Sequence, residues 1–326
     1  MKEFDVLVTR KIPDAGLDIL GKEVNLDIYE GDTPIPRGEL IHRIKGKHGL
    51  LCLLSDRIDR DVMEAAGSQL KIISNYAVGY NNIDVEEATK RGILVTNTPG
   101  VLTDATADLT WALIMACARR IPESDRFVRE GKFVGWGPML MLGYEVYRRT
   151  IGIIGLGDIG TAVARRARGF DMRILYHNRK RNIDGEREVG AVYVPLDTLL
   201  KESDFVTIHV PLTQETFHLI GEKEIGLMKK NAILINVARG EVVDEKALIS
   251  ALKEKRIAYA GLDVFENEPQ INPELFALEN VVLTPHTGSA TYESRNRMAV
   301  MAAENLLAGL KGKRPPNLVN TRVWKD

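Results

Sequence analysis

The segment Ile151-Gly152-Ile153-Ile154-Gly155-Leu156-Gly157-Asp158-Ile159-Gly160 decides the fold of this chain. The apolar run Thr150–Ile154 predicts a buried strand, and it leads directly into glycines spaced as Gly-x-Gly-x-x-Gly. A helical apolar pattern follows, and after it comes a second apolar run, Met172–His177. This order of strand, turn, helix and strand is the context that a dinucleotide-binding fingerprint requires.

Each glycine of this segment has its own predicted role. Gly155 permits the tight turn, Gly157 lets a pyrophosphate approach the backbone, and Gly160 lets the helix pack closely on the strand. The N–H groups at the helix start then hold the phosphates. The alternative is a glycine-rich turn in some other α/β protein. The cofactor contacts predicted in this segment are Gly155, Leu156, Gly157, Asp158, Ile159 and Gly160.

Length and composition indicate an ordinary globular protein. The 326 residues suggest two domains, and a net charge of −1 argues against nucleic acid or an anionic membrane as partner. Cys52 and Cys117 have no Cys or His at metal-ligand spacing, which predicts buried free thiols and no metal site. The apolar stretch Leu109–Ala118 is too short to span a bilayer, and the start does not resemble a signal peptide. We expect a cytoplasmic protein.

Short apolar runs alternate with helical patterns, which predicts an α/β fold of two parallel sheets flanked by helices. The strands predicted for the first sheet are Asp5–Val8, Asn25–Ile28, Leu50–Leu54, Lys71–Ser74 and Leu94–Thr96. Those predicted for the second are Thr150–Ile154, Arg173–His177, Ala191–Val194, Phe205–His209, Ala232–Asn236, Ala258–Leu262 and Val281–Leu283.

A breaker cluster, Thr98-Pro99-Gly100, separates the two sheets. A long helix follows it, which Thr103 or Asp104 can cap and which ends near Arg120, before a proline. We expect residues 1–99 and 287–326 to form one domain and residues 100–286 to form the dinucleotide-binding domain. Near the end, a helical pattern over about residues 291–310 precedes a Pro-Pro-Asn loop that predicts a loose tail.

Polar side chains follow three successive strands of the second sheet. Arg239 follows Ala232–Asn236, the acid-rich stretch Asp263–Glu268 follows the next strand, and His286 follows the last. Ligands of open α/β sheets bind beyond the carboxyl ends of strands. Each residue alone is usually structural. Together, at the edge that carries the glycine turn, they predict a catalytic site.

The loop after Arg173–His177 reads Asn178-Arg179-Lys180-Arg181. An enzyme selective for NAD usually has an acid here that accepts the ribose 2′-OH, whereas three bases favour the 2′-phosphate of NADP. A solvated basic loop is the alternative, and the lack of interleaved aromatic residues argues against nucleic acid. Asp158 disagrees with the NADP interpretation, because its charge repels a phosphate.

The chain resembles the D-2-hydroxyacid dehydrogenases, and most closely their glyoxylate/hydroxypyruvate reductase branch. The resemblance covers nearly the whole chain. It rests on HGLLCLLSDRID (48–59), NYAVGYNNID (75–84), TNTPGVLTDATADL (96–109), GIIGLGDIG (152–160), INVARG (235–240), AGLDVFENEP (260–269) and TPHTGSAT (284–291). It implies two Rossmann-like domains with the active site in the cleft between them. Asp108 departs from the family pattern, which often has Glu there, and Asp158 replaces a basic or neutral residue.

The resemblance assigns roles to individual positions. Arg239 matches the arginine that binds the substrate carboxylate and keto oxygen, His286 the proton donor, and Glu268 the acid that holds this histidine. The backbone of Ala77, Val78 and Gly79 matches the loop that accepts the substrate carboxylate, and Trp136 matches an aromatic residue that reaches the partner subunit's active site. The remaining implied cofactor contacts are Thr106, Asn178, Arg179, Lys180, His209, Val210, Pro211, Val237, Ala238, Arg239, Asp263, His286 and Gly288.

The resemblance therefore implies a homodimeric oxidoreductase that reduces small 2-oxo acids, glyoxylate or hydroxypyruvate, with NADP(H) favoured and NAD(H) possible. Three alternatives remain open at this point. Two are other dehydrogenases of the family, acting on D-glycerate or on phosphoglycerate; of these we expect the phosphoglycerate enzyme less, since its C-terminal regulatory domain is not found in this sequence. The third is a dinucleotide-sensing co-repressor, which is a binding scaffold on the same fold.

Overall fold

The computed structural model describes residues 2–324. Its strands are β1 Asp5–Val8, β2 Asn25–Ile28, β3 Gly49–Cys52, β4 Ile72–Asn75, β5 Leu94–Thr96, β6 Thr150–Ile154, β7 Arg173–His177, β8 Val192–Tyr193, β9 Phe205–Ile208, β10 Ile233–Asn236, β11 Tyr259–Leu262 and β12 Val281–Leu283. Its α-helices are α1 Asp14–Glu23, α2 Arg37–Arg43, α3 Arg60–Ala66, α4 Val85–Lys90, α5 Thr103–Arg119, α6 Ile121–Arg129, α7 Asp158–Ala167, α8 Ile183–Val189, α9 Leu196–Glu202, α10 Glu222–Leu227, α11 Glu245–Lys253 and α12 Tyr292–Leu310.

The chain forms two compact units. One contains the described residues up to Leu102 and from Ala290 onward, and the other contains Thr103–Ser289. Each unit is built on its own parallel sheet, so the predicted α/β class with two sheets is confirmed. Within residues 2–324, no helix has both the length and the apolar character needed to cross a membrane.

The first unit has a five-stranded sheet in the order β2-β1-β3-β4-β5. Strands β1, β3, β4 and β5 are buried on both faces, whereas the edge strand β2 is partly exposed. One face packs against α1 and α12 through residues such as Val6 and Leu306, and the other face buries Leu7 and Ile73 in a separate cluster. Continuous apolar runs of this kind are what parallel strands covered by helices require.

The second unit has a seven-stranded sheet in the order β12-β11-β10-β9-β6-β7-β8. The strand order reverses at β6, which pairs with β7 on one side and with β9 on the other. Such a switch point opens a crevice beyond the carboxyl ends of the two strands, where doubly wound sheets bind ligands. The predicted glycine turn lies at this crevice.

The predicted strands agree with the structure within one or two residues at each end, and the long helices agree as well. Strand β3 ends at Cys52, earlier than predicted, because the N–H of Leu53 donates to the Asp56 carboxylate at 2.7 Å and turns the chain. Helix α5 begins at Thr103, so Thr103 and Asp104 lie inside it and do not cap it from outside. At its end Arg120 is left-handed, with φ of 54°, and α6 starts immediately afterwards.

The prediction of a loose tail after residue 315 is wrong. Leu318 forms an antiparallel bridge with Thr96, and the N–H of Val319 donates to the Val95 carbonyl at 2.8 Å. The side chain of Asn320 also pairs with the backbone N–H of Val95, at 2.8 Å. The segment therefore extends the β5 edge of the sheet, and the Asn320 side chain satisfies backbone groups at that edge, the Val95 N–H and the Ile93 carbonyl.

Candidate active site

The glycine turn joins β6 to α7 in a conformation that favours glycine. Gly155 has φ of +102°, and a Cβ added there would lie 2.8 Å from the His209 carbonyl carbon. A Cβ on Gly160 would lie 2.1 Å from the Gly155 carbonyl oxygen, so α7 packs closely only because Gly160 lacks a side chain. A Cβ on Gly157 would meet no protein atom within 4 Å. The turn and packing roles of Gly155 and Gly160 are thus confirmed, and Gly157 leaves open space.

The start of α7 fits the pyrophosphate of a dinucleotide. Gly157 is the N-cap residue and offers no side chain to the first N–H groups of this ten-residue helix. A helix start with unused N–H groups and open space beside it is an anion-binding site. Asp158 is exposed, Ile159 is half-buried and Leu156 is buried. The Asp158 carboxylate therefore lies at the surface of the first turn.

The polypeptide after β9 packs against the glycine turn through its backbone. The Val210 nitrogen would lie 2.9 Å from a Cβ on Gly155, and Pro211 is exposed beyond it. Both ring nitrogens of His209 are buried without a hydrogen-bond partner among the described residues. Burial lowers the pKa of His209 to about 3, so the imidazole is neutral. His209 shapes the crevice and does not supply positive charge for a phosphate.

Two asparagines fasten the glycine turn to the loop after β7. The Oδ1 atom of Asn178 accepts the N–H of Leu156 at 2.6 Å. The Nδ2 atom of Asn182 donates to the Leu156 carbonyl at 2.7 Å. Leu156 lies between Gly155 and Gly157, and its backbone N–H and carbonyl are both fixed by these bonds. The predicted cofactor contact Asn178 thus also holds the turn in place.

The three bases of the 179–181 loop are not equivalent. Arg181 forms a bidentate pair with Glu186, at 2.9 and 2.7 Å, and lies over the Tyr193 ring. Arg179 and Lys180 are exposed, and Arg179 interacts electrostatically with Glu215. Arg181 is thus engaged by Glu186, and the prediction that this loop binds a 2′-phosphate rests on Arg179 and Lys180.

The predicted acid–base pair forms. The Nδ1 atom of His286 lies 2.8 Å from Oε2 of Glu268, and the N–H of Phe265 donates to Oε1 of Glu268 at 3.0 Å. Burial raises the pKa of Glu268, but the hydrogen bond and positive charge of His286, with help from Phe265 and Arg239, outweigh burial and place it below its ordinary value. Glu268 is thus an ionised carboxylate that orients the ring of His286.

Asp263 holds the loop that carries His286. Its buried carboxylate accepts the Thr284 hydroxyl at 2.6 Å, the Thr287 N–H at 2.7 Å and the Gly288 N–H at 2.8 Å. The Asp263 carbonyl also accepts the N–H of His286 at 2.9 Å. These bonds support His286 in a left-handed conformation, with φ of 53°, which a non-glycine residue rarely adopts. Asp263 thereby aims the imidazole towards Glu268.

Arg239 lies near the pair. Burial lowers the pKa of the Arg239 guanidinium, and the charges of Glu268 and Glu241 oppose that shift. Its Nη1 atom donates to the Ala238 carbonyl at 2.7 Å. A Cβ on Gly240 would lie 1.9 Å from the Phe265 carbonyl carbon, so the backbone after Arg239 lies directly on the strand end that leads to Glu268. The structure therefore brings Arg239, Glu268 and His286 into one cluster.

The other predicted contacts of this unit line the same strand ends. Val237 and Ala238 are buried just after β10. Thr106 is buried on α5, and its Oγ1 atom would lie 3.5 Å from a Cβ on Gly288. Among residues 2–324, no group of three or more His, Cys, Asp or Glu side chains is arranged to hold a metal ion.

A second imidazole–carboxylate pair was missed by sequence reasoning. The Nε2 atom of His218 lies 2.9 Å from Oε1 of Glu266, and the His218 N–H donates to the Glu241 carbonyl at 2.8 Å. The N–H of Glu266 and the carboxylate of Glu245 are also hydrogen-bonded, at 3.3 Å. Burial and the charge of Glu266 raise the pKa of Glu245. This pair ties together the loops that bear Arg239 and Glu268, and only the closeness of Glu266 to Glu268 hinted at it.

In the first unit, the loop of residues 77–80 follows β4. The carbonyl oxygens of Ala77, Val78 and Gly79 each accept a hydrogen bond from the protein. The N–H groups of Val78, Gly79 and Tyr80 find no acceptor in the part of the chain that the structure describes. Consecutive backbone N–H groups without a protein acceptor are the donors from which anion-binding sites are built. The structure adds Tyr80 to the predicted loop.

Trp136 lies in a long exposed segment. Its exposed fraction is 84%, and the exposed apolar side chains of the same segment include Val134 and Met139, at 98% and 77%. Helix α6, which precedes it, has no buried residue. The segment thus presents an apolar surface that the described chain itself does not cover.

Comparison with known proteins places this architecture in a family. Residues 111–288 match the model of the D-isomer specific 2-hydroxyacid dehydrogenase NAD-binding domain. A glyoxylate reductase of Korarchaeum cryptofilum is 58% identical over 323 residues, which cover 98% of this chain and 97% of that protein.

Solved structures agree with this assignment. A protein from Thermus thermophilus shares 45% identity with a TM-score of 0.91, over 97% of this chain and 99% of that one. An NADPH-dependent glyoxylate/hydroxypyruvate reductase from Sinorhizobium meliloti, solved with NADP and malonate, shares 32% identity with a TM-score of 0.89, over 100% and 99%. With the glycine turn and the Arg239, Glu268 and His286 cluster in place, the chain belongs to the D-isomer specific 2-hydroxyacid dehydrogenases, a family of oxidoreductases.

Proposed function

We propose that this protein reduces glyoxylate, and hydroxypyruvate as a related substrate, to the corresponding 2-hydroxy acid with a reduced nicotinamide cofactor. The observation that carries the proposal is the His286–Glu268 pair at 2.8 Å with the Arg239 charge beside it. The relatives named glyoxylate reductase, at 58% and 56% identity over 98% of this chain, support the choice of substrate.

In this proposal His286 is the general acid. The bound nicotinamide supplies a hydride to the carbonyl carbon. The imidazolium of His286 gives a proton to the carbonyl oxygen as negative charge develops there, so that a neutral hydroxyl results. General acid catalysis of this kind contributes roughly 10²–10⁴ in rate. The Glu268 carboxylate stabilises the imidazolium, and Asp263 keeps the loop of His286 in its strained conformation.

Arg239 and the loop of residues 77–80 are proposed to bind the substrate anion. The guanidinium keeps its proton and forms a planar fork, so it anchors a carboxylate and polarises the keto oxygen but does not act as the acid. The outward N–H groups of Val78, Gly79 and Tyr80 offer charge-assisted hydrogen bonds to the carboxylate. A small 2-oxo acid presents both groups that these donors require.

For the cofactor we propose a preference for NADP(H) with NAD(H) also accepted. Arg179 and Lys180 are exposed after β7, where a 2′-phosphate would lie, and no acid stands in the 178–181 loop. The Sinorhizobium meliloti neighbour is NADPH-dependent by name and was solved with NADP. The exposed carboxylate of Asp158 opposes the preference but does not remove the two bases.

We also propose a homodimer of the cytoplasm. The exposed apolar segment that contains Trp136 is the surface on which a second copy would pack, and Trp136 would then reach the partner's active site. Both cysteines are buried free thiols, which suits a reducing compartment. Sedimentation of Trp136→Ala together with Met139→Ser tests this, because a dimer built on the segment should then dissociate.

The function itself is tested by steady oxidation of NADPH and NADH with a panel of 2-oxo acids. We expect turnover with glyoxylate and hydroxypyruvate and a lower KM for NADPH than for NADH. Arg239→Lys keeps the charge but loses the planar fork, so it should raise KM for glyoxylate. A protein that binds NADPH but reduces none of these acids would instead be a dinucleotide-sensing scaffold.

A further inference from the structure

We propose that Asn97 is a positioning residue for the substrate, because it aims a backbone N–H of the carboxylate-binding loop. The inference rests on the proposed function only in taking the loop of residues 77–80 as the carboxylate site. Asn97 lies directly after β5, outside that loop and outside the cluster of Arg239, Glu268 and His286.

The side chain of Asn97 fixes one peptide of the loop. Its Nδ2 atom donates to the Val78 carbonyl at 2.8 Å. In a trans peptide the carbonyl and the following N–H point in opposite directions. With the Val78 carbonyl held by Asn97, the N–H of Gly79 therefore points away from β5, towards the open side of the loop.

The peptides on either side are also held by hydrogen bonds to their carbonyl oxygens. The N–H of Thr98 donates to the Ala77 carbonyl at 2.9 Å, which turns the Val78 N–H outward. The Nδ2 atom of Asn75 donates to the Gly79 carbonyl at 2.8 Å, which turns the Tyr80 N–H outward. Each of the three consecutive peptides thus turns its donor away from the group that holds its carbonyl. Asn97 holds the central one.

Asn97 suits an experiment better than Asn75 does. Asn75 is fully buried and also bonds to Asn82 at 3.1 Å, so its loss disturbs the core. Asn97 is only half-buried, and it holds the loop through its side-chain amide. A change at Asn97 can therefore release the Val78–Gly79 peptide while the sheet stays intact.

The backbone of Asn97 is itself immobilised by the C-terminal part of the chain. The Asn97 N–H donates to the Asn317 carbonyl at 3.4 Å, and Asn305 donates from Nδ2 to the Asn97 carbonyl at 3.1 Å. The N–H of Asn317 donates in turn to Oδ1 of Asn305 at 3.2 Å. Residues 305–317 thus anchor the strand end from which Asn97 reaches the loop. A donor fixed before the ligand arrives loses little entropy on binding.

The test compares Asn97→Ala and Asn97→Asp with Asn280→Ala as a matched control. Asn280 is also half-buried, and its Nδ2 atom donates to the carbonyls of Leu252 and Ala258, at 3.1 and 3.2 Å, in the other unit. The measurements are KM and kcat for glyoxylate, KM for NADPH, Tm, and the dissociation constant of oxamate in the presence of NADH or NADPH. Oxamate carries the carboxylate but no reducible aldehyde.

For Asn97→Ala we expect KM for glyoxylate and the dissociation constant of oxamate to rise together by about tenfold, as for one weakened charge-assisted hydrogen bond. KM for NADPH should not change. Asn97→Asp should be worse, because a carboxylate cannot donate to the Val78 carbonyl and repels the substrate anion. Asn280→Ala should lower Tm with unchanged oxamate binding.

Two results would overturn the inference. One is unchanged oxamate binding in both Asn97 variants. The other is a loss shared equally by Tm, kcat and both KM values, as expected of a merely structural residue. If Asn97→Ala does not fold, the isosteric Asn97→Asp decides the question. If the wild type binds oxamate but does not reduce glyoxylate, the proposed function fails, whereas the oxamate comparison still tests Asn97.

Discussion

The Nδ1 atom of His286 lies 2.8 Å from Oε2 of Glu268, so one side of the imidazole is committed to a carboxylate and Nε2 remains for proton transfer. Nothing in the local sequence requires this contact, because the two residues are 18 positions apart. It depends on the parallel pairing of β11 with β12, which brings the ends of these strands side by side.

The charge of Glu268 should appear in the pH dependence of stability. The pKa of Glu268 is below its ordinary value in the folded protein. A depressed carboxylate pKa contributes stability that is present above the unfolded value and is lost as pH falls through the folded value. Glu268→Gln should therefore have a lower free energy of unfolding than the wild type at pH 7, and this gap in unfolding free energy should narrow at pH 4. Urea unfolding at both pH values measures this, and a gap that widened on acidification would contradict it.

Asp263→Asn should loosen the loop that carries His286 while leaving the imidazole itself chemically unchanged. An asparagine side chain has one acceptor oxygen where aspartate has two. Either the N–H of Thr287 or that of Gly288 therefore loses its acceptor, at a cost of about 1–3 kcal/mol. We expect kcat for glyoxylate to fall by at least about tenfold as the general acid is displaced. Asp244→Asn is the control, since Asp244 caps α11 and asparagine caps equally well. Equal kcat in both variants would remove the positioning role of Asp263.

The glycine turn offers a pair of alanine variants with opposite expectations. Gly160→Ala places a Cβ 2.1 Å from a backbone oxygen, so it should be strongly destabilised. Gly157→Ala meets no protein atom within 4 Å and has an extended backbone, so its stability should fall by no more than about 1 kcal/mol. Its NADPH affinity should nevertheless fall, because the Cβ occupies the path of the pyrophosphate. Calorimetry measures the stability of both variants, and nucleotide fluorescence measures their NADPH affinity. Wild-type NADPH affinity in Gly157→Ala would argue against a pyrophosphate site at the glycine turn.

Cofactor choice should depend on two bases of the 179–181 loop. Arg179→Ser together with Lys180→Ser should raise KM for NADPH by about tenfold or more and leave NADH nearly unchanged. Arg181→Ser should not alter the ratio of the two KM values, because Arg181 is engaged by Glu186. The difference in KM for NADPH between the double variant and the wild type should shrink at high salt, since exposed charges are screened. An equal loss for NADPH and NADH in the double variant would rule out recognition of the 2′-phosphate.

The sequence predicted the strands well because parallel strands buried on both faces appear as uninterrupted apolar runs, as Thr150–Ile154 does. It predicted that Arg239, the acid-rich stretch Asp263–Glu268 and His286 lie together because strand ends of one sheet must share an edge, whereas the family resemblance singled out Glu268 within that stretch. The sequence did not predict contacts that join distant segments of the chain. No local pattern shows that Asn178 holds Leu156 or that the tail pairs with β5, because each contact depends on the packing of elements that lie far apart in the chain.

His286 is proposed to donate the proton in a hydride transfer to glyoxylate. The most direct measurement is NADPH oxidation by the wild type and by His286→Ala, with NADPH affinity measured on the same samples. We predict steady oxidation that requires glyoxylate in the wild type, and in the variant a loss of roughly 10²–10⁴ in kcat with NADPH affinity unchanged. Wild-type turnover in His286→Ala would exclude His286 as the proton donor, and a wild type without glyoxylate-dependent oxidation would refute the proposed reaction.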